Sequence, residues 1–433
     1  MYDVVVVGGG PAGVSAAVCA AREGAKVCLI EQSAMLGGLG TLGLVTVVIA
    51  PEKHFGGFGK EIVDDLVERG IAGPEVIPGT YSWVPYKGEG MKLLLDEKVT
   101  NEENIDLRLY TKLCGAETEN GIVKAVSVCD TCGTHKIEGK VFIDATGDGI
   151  LSLYCGEEYE LGGENGEIQA PSMMAYYGNI DYKKYYAYIA SNNGDDIKSI
   201  HILLPKAVEE GILPRIDLHH PGAIRVAEDM AIINVGHLYG MPLETGEDFT
   251  KAAIEGRKLA AKYFEFYRKY VPGFENSTYN NTGSVLGIRE TRRVKGRYTV
   301  TYEDKCNNTK FEDGVVRFKG GASCDLHASS ADRKAYEEYF KIFNGLDKGY
   351  NDYALMPYSC FIGAKNANLM IAGRCASTDR KVNAQNRVMG YCMMMGQAVG
   401  TAAAIAAADG VTPTEIDVKK LQSTLKSNGL ENI

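Results

Sequence analysis

The feature that most constrains this chain lies near its start. Tyr2 to Val7 form a short run, β-branched from Val4, that stops at Gly8-Gly9-Gly10-Pro11-Ala12-Gly13. Such a run, bounded at once by glycine, reads as a buried parallel strand. An alanine-rich helix is expected over 13–24, carrying Ala16, Ala17, Ala20 and Ala21, and Lys26 to Ile30 reads as a second buried strand ending at Glu31. Strand, helix and strand in so short a stretch make one crossover unit. Gly8, Gly10 and Gly13 satisfy G-x-G-x-x-G in the context it requires, after a strand and opening a helix. Gly8 permits the tight turn, Gly10 lets the backbone approach a pyrophosphate, and Gly13 lets helix and strand close up. The first helical turn, with Pro11 and Ala12, offers unpaired N–H groups and a positive dipole end to phosphate. Glu31 is placed to accept hydrogen bonds from ribose hydroxyls, which disfavours a 2′-phosphate and hence NADP. The segment predicts a dinucleotide site in a Rossmann-like α/β fold.

That motif alone does not separate FAD from NAD, but later segments do. Gln32 leads from Glu31 towards Met35-Leu36-Gly37-Gly38 and Thr41, a glycine-rich path that an extended cofactor needs. Val141 to Ala145 reads as another buried strand, running into Thr146-Gly147-Asp148-Gly149. Ala367 to Ala372 reads as a third, running into Gly373-Arg374. Separated strand ends converging on one ligand suit FAD, held non-covalently, better than NAD. A long helix is expected from Arg387 to Ala408, with Gly396 and Gly400 allowing close packing and Asp409-Gly410 ending it.

At 433 residues the chain has room for two domains. The cofactor segments fall in 1–154 and 356–433. The stretch 155–355 differs in character, holding Tyr176, Tyr177, Tyr182, Tyr185, Tyr186 and Tyr188 and most of the histidines. The expectation is a Rossmann-like FAD-binding domain with an inserted α+β substrate domain, residues 285–300 returning to the first. A net charge of −10 argues against a nucleic-acid surface. Eleven cysteines, an odd number, read as reduced thiols rather than a disulfide framework. No run approaches the roughly 18 apolar residues of a membrane helix, and no basic region precedes Val4. No membrane partner is expected, and the cytoplasm is the expected location.

Glu31-Gln32 with Leu36-Gly37-Gly38, the segment 145–149, Gly373-Arg374, Arg387-Val388-Met389 and Gly396-Gln397-Ala398-Val399-Gly400 together resemble glutathione-reductase-like flavoproteins. With 287–293, Asp325-Leu326-His327 and Met356-Pro357-Tyr358 added, the chain is similar to bacterial FAD-dependent oxidoreductases distantly related to fumarate reductase and succinate dehydrogenase flavoproteins. The resemblance spans residues 4–408. It implies that the helix end near Asn386, Arg387 and Val388 points at the flavin pyrimidine ring. Reduction builds negative charge there, which a helix N-terminus and an arginine stabilise. About the substrate the resemblance implies little. Ser359 and Cys360 stand where related chains commonly carry an arginine, and the full histidine and arginine set of a fumarate reductase is missing.

Other residues carry candidate chemistry. Arg289 and Arg293, at i,i+4 around Glu290, could form a guanidinium face for a carboxylate or phosphate, or an ion network joining domains. Asp325 and His327, at i,i+2, would face one side of an extended segment, making His327 a candidate acid or base beside the flavin or a structural histidine. Tyr358 and Arg374 are secondary candidates. Cys129-Asp130-Thr131-Cys132 has metal-like spacing but lacks a second ligand pair and reads as a hairpin turn. His219-His220 precede a proline and have no carboxylate at ligand spacing, so no metal site is expected.

These readings combine into an FAD-dependent oxidoreductase that moves a hydride between flavin N5 and a small polar, anionic substrate. A second G-x-G-x-x-G for NAD(P)H is missing, since Gly162-Gly163-Glu164-Asn165-Gly166 has the wrong spacing. The electron source is therefore the substrate, a transiently bound nucleotide or a redox partner protein. The alternative is a flavin subunit of an electron-transfer complex, with a flavin monooxygenase the less favoured third reading. A homo-oligomer is left open.

Overall fold

The structure, a computed structural model, describes residues 1–50, 55–79, 81–164, 166–192, 194–218, 222–234, 236–344, 353–431 and 433. It opens with β1 (Tyr2–Val7), α1 (Pro11–Arg22) and β2 (Val27–Ile30), followed further on by β3 (Ile105–Arg108). The β1–β2 and β2–β3 pairs are both parallel, with Val4 opposite Val27 and Val27 opposite Ile105. Strands β4 (Lys112–Glu119), β5 (Ile122–Asp130) and β6 (Gly133–Asp144) then form an antiparallel meander. β6 outruns its hairpin partner, and its second half enters the parallel sheet beside β1, with Val4 opposite Val141. The turn between β5 and β6 falls at Thr131-Cys132, where the cysteine pair was expected to mark a hairpin.

A second sheet is antiparallel and has its own core. It comprises β7 (Ala175–Gly178), β8 (Gly222–Ala227), β9 (Met230–Asn234) and, after the long α2 (Gly246–Tyr270), β10 (Thr278–Thr282). Its order is β8-β9-β7-β10. Thr245 and Asp248 form a reciprocal capping box that fixes where α2 begins. The tyrosines that set this region apart in the sequence build its interior. Tyr177 and Tyr185 are fully buried, and Tyr177 meets Tyr267 of α2 edge-on at 5.8 Å.

The chain then returns to the first sheet. β11 (Leu369–Ile371) pairs parallel with β6, Leu369 opposite Phe142, so that β1, β6 and β11 end side by side at Val7, Asp144 and Ile371. Two helices follow, α3 (Arg380–Asn386) and α4 (Met389–Asp409). This corrects the expected single helix from Arg387, because Val388 adopts extended geometry with ψ of 152° and the chain turns before α4 begins. Gly410 ends α4 in the left-handed conformation, as expected. α4 lies across α1: a Cβ on Gly396 would stand 2.1 Å from the Ala12 carbonyl, and one on Gly400 would stand 2.2 Å from that of Ala16. α4 is long and apolar enough to cross a membrane, contrary to the sequence expectation, but 94% of that stretch is buried within the fold. Val300, Val315 and Phe318 join the same core as β1, α1 and α4.

Candidate functional site

The nucleotide cradle is made by backbone. At Gly13 a Cβ would stand 1.7 Å from the Gly8 carbonyl oxygen, so any side chain would force the β1–α1 turn open. Gly8 has φ of 107° and sits against the Ala145 carbonyl at the end of β6. Above Gly10, by contrast, a Cβ would meet nothing within 4 Å. No side chain caps α1, and Pro11 opens it, so its first-turn N–H groups face that open space. Glu31 is buried and accepts from the backbone N–H of Gly9 at 2.7 Å and of Ser33 at 2.8 Å. A carboxylate has about four lone-pair directions, so capacity remains for ribose hydroxyls. Exposed Gln32 follows, and the Gly37 N–H donates to the Gly9 carbonyl at 2.8 Å, laying the Gly37–Gly38 loop over Gly10. The Thr41 hydroxyl donates back to the Leu36 carbonyl at 2.6 Å and fixes that loop.

The other two strand ends close the cradle. Buried Asp144 accepts from the Thr146 hydroxyl at 2.7 Å and from the Ser152 N–H at 2.8 Å, shaping the turn that carries Gly147 and Asp148. Arg374, just past β11 and Gly373, donates to Asp148 at 2.8 Å, and the Thr291 hydroxyl donates to the same carboxylate at 2.7 Å. Thr291 thereby ties the 289–293 segment to the cradle. At the start of α4, Val388 provides no side-chain cap. Just ahead of it, Asn386 Oδ1 and Arg387 Nε are buried with no hydrogen-bond partner among the described residues. Buried polar atoms left in this way await a partner. The open space over Gly10 and the unpaired atoms at the α4 end fit the phosphate and ring portions of FAD.

Beyond Arg387 lies a buried chain of polar groups. Arg387 pairs with Asp325 at 3.1 Å, and Asp325 meets His327 Nε2 at 3.2 Å. His327 Nδ1 faces His237 Nε2 at 3.2 Å, and His237 Nδ1 faces Asp217 at 3.0 Å. Asp217 also accepts from the Tyr239 hydroxyl at 3.1 Å. His237 is 1% exposed and Asp217 4%, whereas Asp325 is 35% exposed and so forms the open end. Burial holds His237 below its ordinary pKa, against the pull of Asp217. The backbone N–H of His327 donates to Gln169, whose amide donates in turn to buried Glu290. Lys305, fully buried, donates to the carbonyls of Gly320, Gly321 and Ser323 and so fixes the loop that presents Asp325 and His327. A 450 Å³ cavity lined by Ile216, Leu218, Tyr239, Ala328 and Tyr336 opens beside this chain. A larger hollow, 840 Å³, lies among charged residues of 57–68 and the C-terminal segment, away from it.

The sequence candidates separate under this geometry. Arg289 and Arg293 do not share a helical face, since 292–294 is a short strand paired with 159–161 and no helix covers 289. Arg293 joins Glu290 at 3.6 Å and donates to the Gly162 carbonyl at 2.9 Å, which is the ion-network reading. Arg289 is buried and donates to the Ala170 carbonyl at 2.6 Å and the Ser172 hydroxyl at 3.1 Å, and among the described residues it forms no ion pair. Burial and the nearby Arg387 bring its pKa down to about 10. Tyr358 is buried and donates to the Pro413 carbonyl at 2.8 Å, which turns it towards the C-terminal segment. Cys129 and Cys132 are free and exposed, and no metal-ligand cluster occurs among the described residues. His219 and His220 lie outside the described residues. Sequence reasoning missed Asp217, His237 and Gln169; a histidine two residues before Tyr239 in an apolar stretch was the one local hint.

The FAD dependent oxidoreductase family matches this chain over residues 3–425. A digeranylgeranylglycerophospholipid reductase of Methanoculleus marisnigri is 28% identical over 165 residues, 34% of this chain and 38% of that protein. A ferredoxin–NADP reductase of Bacillus licheniformis is 32% identical over 138 residues, 29% of this chain and 32% of that protein. The chain thus spans well under half the length of the curated relatives it matches. Among solved structures, a geranylgeranyl bacteriochlorophyll reductase-like protein of Thermoplasma acidophilum is 14% identical, with 98% of this chain and 82% of that one covered and a TM-score of 0.48. The flavin-dependent brominase Bmp2 is 12% identical, with 98% and 83% covered and a TM-score of 0.48. A family match that runs from β1 past α4 takes in every strand end of the cradle. This chain belongs to the FAD dependent oxidoreductase family, with FAD as its cofactor.

Proposed function

We propose that the enzyme moves a hydride between FAD and a carbon of a small polar, anionic substrate, with His327 handling the accompanying proton. When bound, FAD supplies the two-electron acceptor or donor at N5. The observation that carries the reading is a buried imidazole, His327, held between His237 and an Asp325 that is ion-paired to Arg387 at the helix end nearest the cradle. In substrate oxidation His327 takes up the proton released from a hydroxyl or amine, and in reduction it returns one, with half-exposed Asp325 at the outlet. Arg289, a buried guanidinium without a carboxylate partner among the described residues, orients the anionic group of the substrate. Asp325 and Asp217 compensate this buried cation only from a distance, so an anion is favoured directly beside it. In this reading the second sheet with α2 is the inserted substrate domain of 155–355. The chain is read as close in type to glutathione-reductase-like flavoproteins. That two relatives are named reductases is in keeping with hydride chemistry.

The test is anaerobic titration of the purified holoprotein with 2-hydroxy acids, amino acids, enoates and NADH, following flavin bleaching. Bleaching by an anionic substrate, with affinity lost in Arg289→Lys, is the expected result. Reduction only on addition of a second protein would establish the electron-transfer alternative instead.

A further inference from the structure

We propose that Asp217 and His237 are the positioning half of a proton store, Asp217–His237–His327–Asp325, in which two imidazoles share a single excess proton and keep His327 Nε2 as the exchanging atom. The inference rests on the reading of His327 as the proton carrier and extends it to two residues buried behind it.

Its basis is a count of donors and acceptors. Asp217 Oδ2 accepts from the His237 backbone N–H at 3.0 Å and faces His237 Nδ1 at 3.0 Å. An ionised carboxylate only accepts, so Nδ1 of His237 carries a hydrogen. At the other end Asp325 is ion-paired to Arg387 at 3.1 Å and faces Nε2 of His327 at 3.2 Å, so that nitrogen carries one too. Between the rings, Nε2 of His237 and Nδ1 of His327 stand 3.2 Å apart, and a contact of that kind needs one hydrogen. A hydrogen at each outer nitrogen and one between the rings leaves one imidazole neutral and the other cationic. The two therefore titrate as a unit.

The surroundings decide which ring carries the charge. Asp217 and Asp325 favour a cation at His237 and Arg289 opposes it, while Arg387 is paired to Asp325 at the far end. The phenols of Tyr239 and Tyr339 stay neutral, and burial pushes that of Tyr336 up to about 12. His237 is the more deeply buried ring and is held towards its neutral form. The cation consequently resides on His327, next to half-exposed Asp325.

The arrangement fixes the direction of transfer. When a proton is delivered to the substrate, the N–H bond at His327 Nε2 breaks and its electron pair stays on nitrogen. The hydrogen between the rings remains on His327 Nδ1, donated to His237 Nε2. Nε2 of His327 is then a base aimed at the Asp325 side, ready to be reprotonated there. With Asp217 removed, His237 is free to carry its hydrogen on Nε2 instead. It would then donate to His327 Nδ1 and leave His327 neutral, without the proton to give.

Nitrogen-15 NMR of the oxidised holoprotein, labelled in histidine, reads this directly from about pH 5 to about pH 8. His237→Leu and His327→Asn assign the signals, and the visible flavin spectrum confirms that each variant is folded and loaded. The expected spectrum shows imidazolium shifts at both His327 nitrogens near neutral pH and a neutral, Nδ1-protonated His237. Asp217→Asn and His237→Leu should each shift the pH at which His327 gains its second proton down by about one unit or more, a tenfold change or greater. His237→Gln, whose amide oxygen can accept from His327 Nδ1, should restore most of that shift. Two neutral rings in the wild type, or a His327 titration unmoved in both Asp217→Asn and His237→Leu, would overturn the proposal. None of these readings needs a substrate. A failed substrate search counts against the hydride reading alone, and a wrong proton count against this inference alone.

Discussion

The cradle at Gly8–Glu31 and the polar chain at Asp217–Asp325 are built on opposite plans. The cradle begins within one crossover unit and is closed by the ends of two further strands, and what counts in it is where side chains are missing, as at Gly13 against the Gly8 carbonyl. The polar chain is made entirely of side chains drawn from separate loops, its two histidines lying 90 positions apart in the sequence. A site made of backbone writes its geometry into residue spacing. A site made by tertiary folding does not, and its members become meaningful only once the chain has brought them together.

The comparison can be broken most forcefully at the glycines. Gly13→Val places atoms where the Gly8 carbonyl already stands, and loss of both FAD and folded protein is expected, at a cost of at least about 3 kcal/mol. Gly10→Ala meets nothing in the protein and should leave urea unfolding of the apoprotein within about 0.5 kcal/mol, yet lower FAD content sharply. If both variants keep FAD, the backbone cradle is wrong. Next in size is Arg289→Lys, which keeps the charge but loses the planar fork. Equilibrium binding of an anionic substrate or product analogue should weaken by about 10- to 100-fold, with flavin content unchanged.

A smaller effect separates the two regions by pH. His237 has a folded-state pKa below its ordinary 6.5, so the unfolded chain binds more protons in that interval. Stability from this group is complete above pH 6.5 and falls as the pH drops through that value towards the lower folded one. Thermal unfolding should show the acid decline, and His237→Gln should flatten part of it; a decline of equal slope in the variant would assign it elsewhere. The smallest effect is expected at Cys129→Ser and Cys132→Ser, exposed at a hairpin turn, with stability within about 0.5 kcal/mol and flavin content unaltered.

Legibility followed the same division. The β1–α1–β2 unit, the converging strand ends at Asp144 and Ile371, and the close approach of α4 to α1 through Gly396 and Gly400 were all readable, because buried β-branched runs and glycine spacing are short-range signals. The start of α4 was misplaced by two residues, since nothing local marks the extended geometry of Val388. Arg289 and Arg293 could be read by spacing as one guanidinium face or as an ion network, and the fold separates them, with Arg293 in the network and Arg289 turned to other partners. The tyrosines of 176–188 suggested a ligand site by composition, and Tyr177 and Tyr185 became core once α2 packed over them. Of the polar chain, only Asp325-Leu326-His327 was visible, because only that pair is adjacent in sequence. Asp217 and His237 carried no motif at all.

The central claim is that the cradle holds FAD while His327 moves the proton, and His327→Asn tests the two together. With a substrate that bleaches the wild type, its anaerobic reduction rate should be measured against pH in both proteins. The variant should retain wild-type FAD content, react about 100-fold or more slowly, and lose the limb of the pH profile that the wild type shows near neutrality. A variant that reduces at the wild-type rate with the same pH profile would contradict the account.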